Sequence, residues 1–137
     1  MLQINPSPVT GPAASQDYIE SLVTHHFQPI YALVDAFLEN PHLSLKLTET
    51  FFKIAEMEPP RSSEGLYRMV MESIDFQNCD CALLELLTFD TAACWLLKDL
   101  GGFRYGQIGD ILGMSSTQVK ENIAQARAVM MLNAEVV

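Results

Sequence analysis

Tyr105-Gly-Gln-Ile-Gly-Asp-Ile-Leu-Gly-Met-Ser-Ser-Thr-Gln-Val-Lys120 reads as two short helices joined by a tight turn. Ile108 and Ile111 lie three apart and share the inner face of the first helix. Gly113 supplies the positive φ that such a turn requires, and Met114 fills the corner behind it. Ser115 caps the second helix, whose inner face is Val119 and Ile123, four apart. The pattern is a helix-turn-helix, a unit that needs a third helix to close its core. Thr88 to Leu100 provides one. Thr88 is its cap, Asp90 stands in its first turn, and Ala92, Cys94, Trp95, Leu96 and Leu97 follow before Gly101-Gly102 ends it. Thr117, Gln118, Lys120, Glu121, Asn122, Ala124 and Gln125 are then left wholly or partly outward, where a recognition helix meets base edges and phosphates.

Working upstream, the chain stays helical. Gln77 to Cys81 is a short polar joint. Before it, Leu66, Met69, Val70, Ser73 and Ile74 mark the inner side of a helix from Gly65 to about Phe76, capped by Ser62-Ser63-Glu64. Pro59-Pro60 separates it from a helix spanning about Leu43 to Met57, on which Leu43, Leu47, Phe51 and Ile54 form the expected buried stripe. From Gln16 to Glu39 apolar residues again recur at three and four, and Pro29 predicts a kink or two consecutive helices. Met1 to Ser15, with three prolines and a glycine, reads as a loose tail. No strand pattern or hairpin signal is present. The fold class is all-α: a tail over 1–15, a helical module over 16–77, a linker at 78–81 and a tri-helical helix-turn-helix module over 82–137.

The 137 residues are 49% hydrophobic and 18% charged, which excludes a disordered or collagen-like chain. Eight Lys and Arg stand against 17 Asp and Glu, a net charge of −9. So acidic a molecule is repelled by phosphate backbones and attracted to basic protein surfaces. The charge is uneven. Residues 1–77 hold four basic and ten acidic side chains, whereas 101–131 hold Arg104, Lys120 and Arg127 against Asp110 and Glu121. Any DNA contact belongs to that second stretch. Cys79, Cys81 and Cys94 form neither a disulfide framework nor a zinc ligand set, and read as buried or idle thiols. His25 and His26 read as packing or surface groups. No nucleophile, base and orienter occur together and no glycine loop cradles a phosphate, so no catalysis and no cofactor are expected. Without a basic segment leading into an apolar run, and without an apolar stretch of membrane-spanning length, the chain is expected in the cytoplasm.

Leu96-Leu-Lys-Asp-Leu-Gly-Gly-Phe-Arg-Tyr105, Ile108, Ile111-Leu-Gly-Met-Ser115, Val119-Lys120 and Ala126-Arg127-Ala128 together resemble the fourth conserved region of bacterial RNA polymerase sigma factors, of the short extracytoplasmic-function type. LuxR-type response-regulator domains share much of that pattern, and the N-terminal half decides between them. Glu49-Thr50-Phe51 is similar to the Q-E-T-F motif of the sigma second region. Leu66-Tyr67-Arg68-Met69-Val70 is similar to W-L-Y-R-I-A. His26-Phe27-x-Pro29-x-Tyr31 is similar to the family's opening Y-x-P-x-L-Y helix. The three occur in family order, and the resemblance spans roughly Gln16 to Met131.

The resemblance implies transcription regulation, with RNA polymerase core or an anti-sigma factor as partner and with weak promoter contact. It assigns promoter contacts to Arg104, Ser115, Thr117 and Gln118, and to Lys120, Asn122, Gln125 and Arg127. Protein contacts fall to Thr48, Glu49, Phe52, Lys53, Tyr67 and Arg68. The departures carry equal weight. Ser44 and Leu45 occupy the slots of an acidic pair that helps dock the polymerase clamp. Gly65 replaces a tryptophan, and Glu72 and Asp75 set negative charge on the helix that faces the promoter. Asn122, Gln125 and Ala128 stand where the family tends to carry basic residues, and every phosphate left without its cation weakens binding at all sequences alike. Three readings follow: a working sigma factor, a sigma mimic that binds protein without DNA, and an oligomeric helical adaptor with an unrelated partner. In all three, modules this small are expected to pack against each other or against a second copy.

Overall fold

The computed structural model describes residues 12–77 and 79–136. Its seven helices are α1 (Pro12–Leu38), α2 (Pro41–Met57), α3 (Ser63–Gln77), α4 (Ala82–Leu86), α5 (Phe89–Asp99), α6 (Tyr105–Leu112) and α7 (Ser116–Val136). No strand occurs among the described residues, and the class is all-α.

Local chemistry sets most of the boundaries. Asn40 caps α2, its Oδ1 accepting from the Leu43 N–H at 3.1 Å, with Pro41 directly inside the helix. Ser62 Oγ accepts from the Gly65 N–H at 3.2 Å as α3 begins, and Thr88 Oγ1 accepts from the Thr91 N–H at 3.2 Å to open α5. Gly113 ends α6 at φ 74°, the left-handed conformation. Ser115 and Gln118 close the start of α7 reciprocally: Gln118 N–H donates to Ser115 Oγ at 3.1 Å, and Ser115 N–H donates to Gln118 Oε1 at 2.9 Å.

Several expectations need correction. Helix α1 starts at Pro12, so the last part of the expected 1–15 tail is helical, and the remainder lies outside the described residues. Pro29 does not divide α1, which runs unbroken through it. One missing backbone bond is outweighed by burial of Ile30, Leu33, Val34 and Phe37 on the following turns. The buried face of α2 is Ser44, Thr48, Phe51, Phe52 and Ala55 rather than the Leu43–Leu47–Phe51–Ile54 stripe. Phe52 stacks on Phe27 of α1 at 5.5 Å, and that contact fixes the rotation of α2. Of the linker expected at 78–81, Cys79 to Cys81 are non-helical and Asn78 lies outside the described residues. Beyond the linker, α4 is an additional short helix before Thr88.

Helices α1 and α2 pair, with α3 laid across both, while α5, α6 and α7 each touch the other two. One continuous apolar cluster runs through both sets. Its bridge is the packing of α3 on α6 and on the turn before it, where the Tyr67 ring meets Phe103 edge-on at 4.7 Å. Phe37 and Phe89 add a second crossing at 5.3 Å. The Glu39 carboxylate accepts from the Ala82 N–H at 3.3 Å.

Candidate functional site

Two surfaces hold the residues that the sequence singles out: the start of α7, and the exposed flanks of α2 and α3. On α7, Val119, Ile123 and Ala126 are buried against α5 and α6, so the opposite side faces out. Thr117, Lys120, Glu121, Ala124 and Gln125 are all exposed.

Half of the eight expected DNA contacts are engaged by hydrogen bonds or an ion pair within the protein. Ser115 and Gln118 are tied to each other's backbone in the cap. Arg127 pairs with Asp99 at 3.1 Å. Asn122 requires the largest correction. It is half-buried and turned toward α5, where its Oδ1 accepts from Thr91 Oγ1 at 2.7 Å and its Nδ2 donates to the Gln118 carbonyl at 2.8 Å. Thr91 is buried and also accepts from Thr88 Oγ1 at 2.9 Å. Asn122 therefore completes a part-buried hydroxyl chain through the buried Thr91 and does not share an outward face with Gln125. Arg104 is exposed at the N-terminus of α6, its N–H donating to Gln107 Oε1 at 2.9 Å. Thr117 and Gln125 have exposed side chains.

Lys120 marks a feature that residue spacing does not announce. Its ammonium lies 5.5 Å from the Tyr105 ring centre, and Lys98 of α5 lies 4.9 Å from the same ring. Two cations from different helices thus gather on one aromatic ring, an arrangement that attracts anions. Lys98 and Tyr105 are both legible as residues, but they sit on separate helices. Only the crossing of α5 and α6 brings them together.

The expected protein contacts divide similarly. Thr48 is wholly buried, its hydroxyl donating to the Ser44 carbonyl at 2.7 Å. Phe52 and Tyr67 are core aromatics. These three are corrected from surface candidates to packing groups. Burial pushes the Tyr67 phenol up to about 12, and its oxygen lies 3.1 Å from His26 Nδ1. Burial and the adjacent His25 hold His26 below its ordinary range. Glu49 and Lys53 are exposed on α2. Arg68 reaches across to donate to the Asp110 carbonyl.

Arg68 stands in a cleft between α3 and α6 of about 340 Å³, whose other charged walls are Glu72, Asp75, Asp90 and Asp110. Four carboxylates around one guanidinium make this cleft electronegative, a poor neighbour for a phosphate backbone. Among the described residues no His, Cys, Asp and Glu side chains gather as a metal site. The thiols are free, and burial near Asp90 pushes Cys94 up to about 11, which leaves it protonated at neutral pH. No helix among the described residues is long and apolar enough to cross a membrane.

No protein-family model, curated protein or solved structure matches this chain.

Proposed function

We propose that this chain regulates transcription as a divergent sigma-like protein that works through protein contact, binding RNA polymerase core or an anti-sigma factor, and holds promoter DNA weakly. One observation carries the reading. On the helix expected to meet DNA, Ser115, Gln118, Asn122 and Arg127 are engaged within the protein itself, while Lys120 stands beside Glu121. A recognition helix that commits those side chains to its own fold has little left for base edges. The Glu72–Asp75–Asp90–Asp110 cleft supports the same conclusion through its sign. The protein-binding surface is the exposed side of α2 around Glu49 and Lys53, because Thr48, Phe52 and Tyr67 are interior.

The experiment is a pull-down of purified core polymerase and of candidate anti-sigma proteins on the immobilised chain, run beside fluorescence anisotropy with duplex DNA. The expected result is protein capture together with a DNA salt slope of only about two to three contacts. A steep salt slope with nanomolar promoter affinity at physiological salt, and no protein capture, would overturn the proposal.

A further inference from the structure

Helix α2 is amphipathic twice over. Its inner face, Ser44, Thr48, Phe51, Phe52 and Ala55, is buried against the rest of the fold. Its outer side carries a second row, Leu43, Leu47, Thr50, Ile54 and Met57, spaced four, three, four and three and apolar except at Thr50, whose hydroxyl donates to the Lys46 carbonyl at 2.9 Å. That alternation is the seam of a two-helix coiled coil. Leu43 is 50% exposed, Ile54 41% and Met57 81%, with Leu47 half-buried beside them. Helices α1 and α3 make the main contacts of α2; they leave Leu43, Ile54 and Met57 exposed, while Leu47 packs in part against the core.

One edge of the row is charged, and its order is informative. Lys46, Glu49, Lys53 and Glu56 run along it, all exposed. Read backwards, the series is acidic, basic, acidic, basic. A second copy of the helix laid antiparallel therefore presents the opposite sign at each position. The register that sets Leu43 against Met57 and Thr50 against Thr50 brings Lys46 close to Glu56 of the second copy, and Glu49 close to Lys53. In a parallel pair this edge would face the opposite flank of the second helix, and the four charges would not meet one another. The face is also neutral across these four groups, although the chain as a whole carries −9, so two copies meet where their mutual repulsion is weakest.

We propose that the outer face of α2 is the contact surface of an antiparallel, two-fold homodimer centred on Thr50. The observations behind it lie on α2 alone, but the face includes the Glu49 and Lys53 that the transcriptional reading gives to a protein partner, so dimerisation and partner binding exclude one another there. An isologous contact of this kind repeats each charge pair twice, so one substitution alters two pairs.

Analytical ultracentrifugation of the full chain across a concentration series tests the proposal, with wild type, Glu49→Lys, Lys53→Glu and the combined exchange. Wild type should dimerise. Each single change sets like charges together at two places and should raise Kd by roughly tenfold or more. The combined exchange restores opposite signs and should return Kd to within about threefold of wild type, a recovery that generic damage to α2 would not give. Circular dichroism verifies that each variant is folded, and Ile54→Asp, aimed at the apolar row, should be monomeric. A wild-type chain that stays monomeric into the high micromolar range overturns the proposal. So does a dimer indifferent to the single charge changes, or one that the combined exchange fails to restore.

Discussion

Asn122 shows how a single side chain alters a functional reading. By type and position it is a candidate adenine contact; by geometry it is the acceptor that satisfies the buried Thr91 hydroxyl. Asn122→Ala should therefore lower stability by about 1–3 kcal/mol, the cost of stranding a buried donor. A double-mutant cycle with Thr91→Val in urea denaturation should give a positive coupling energy, whereas additive losses would mean that the two groups do not interact. His26 makes a separate prediction. Its folded pKa lies below the ordinary 6.5 because of burial first and the neighbouring His25 second. The unfolded chain therefore binds more protons in that window, so stability rises with pH through it. The His26 contribution is complete above about 6.5 and is lost as the pH falls below that value. Melting temperatures measured across about pH 5 to 8 should show a steeper acid-side decline for wild type than for His26→Gln.

At the scale of elements, the turn between α6 and α7 depends on two glycines for different reasons. Gly113 takes a left-handed φ. Gly109 is an ordinary helical residue, but a Cβ there would run into the Met114 carbonyl oxygen, because the chain folds back directly over it. Gly106, three residues earlier on α6, has nothing within 4 Å of the same added atom. Gly109→Ala should therefore be destabilising and loosen the turn. Gly106→Ala should stabilise by about 0.5–1 kcal/mol, the helix preference of alanine over glycine. Thermal denaturation of the two variants gives the comparison, and equal shifts would remove the close approach as the cause. Helix α2 faces a related choice. Its sequence offers two apolar stripes one residue apart, and periodicity has no means of ranking them. Phe52 stacking on Phe27 and the Ser44 hydroxyl bonded to Asp35 at 2.7 Å decide which one turns inward.

Across the whole molecule, the decisive contact is α3 on α6 and the turn that leads into it. Tyr67 against Phe103 and Arg68 against the Asp110 carbonyl join the segment before the linker to the one after it. Truncating a buried aromatic of this size usually costs about 3–5 kcal/mol. Phe103→Ala should accordingly separate the halves more readily, seen as faster proteolysis between Gln77 and Cys81. Unchanged cleavage there in a folded variant would mean that the ring pair does not hold the halves together. The same packing explains why Tyr67, whose sequence context resembles a surface motif, is not open to a partner, whereas Arg68 stays exposed beside it.

The sequence alone determined the all-α class, the caps at Ser62, Thr88 and Ser115, the left-handed turn at Gly113, and the inward faces of α6 and α7. Each of these follows from interactions within a few residues, whose chemistry is carried by residue type and spacing. Tertiary structure decided the rest: the rotation of α2, the continuity of α1 through Pro29, the Lys98–Tyr105–Lys120 cluster, the acidic cleft, the turning of Asn122 toward α5, and the surface pairing of Arg127 with Asp99. These depend on residues from separate helices, many of them far apart along the chain. Their contacts are chosen by which apolar faces bury together best, a competition among helices that local pattern does not record.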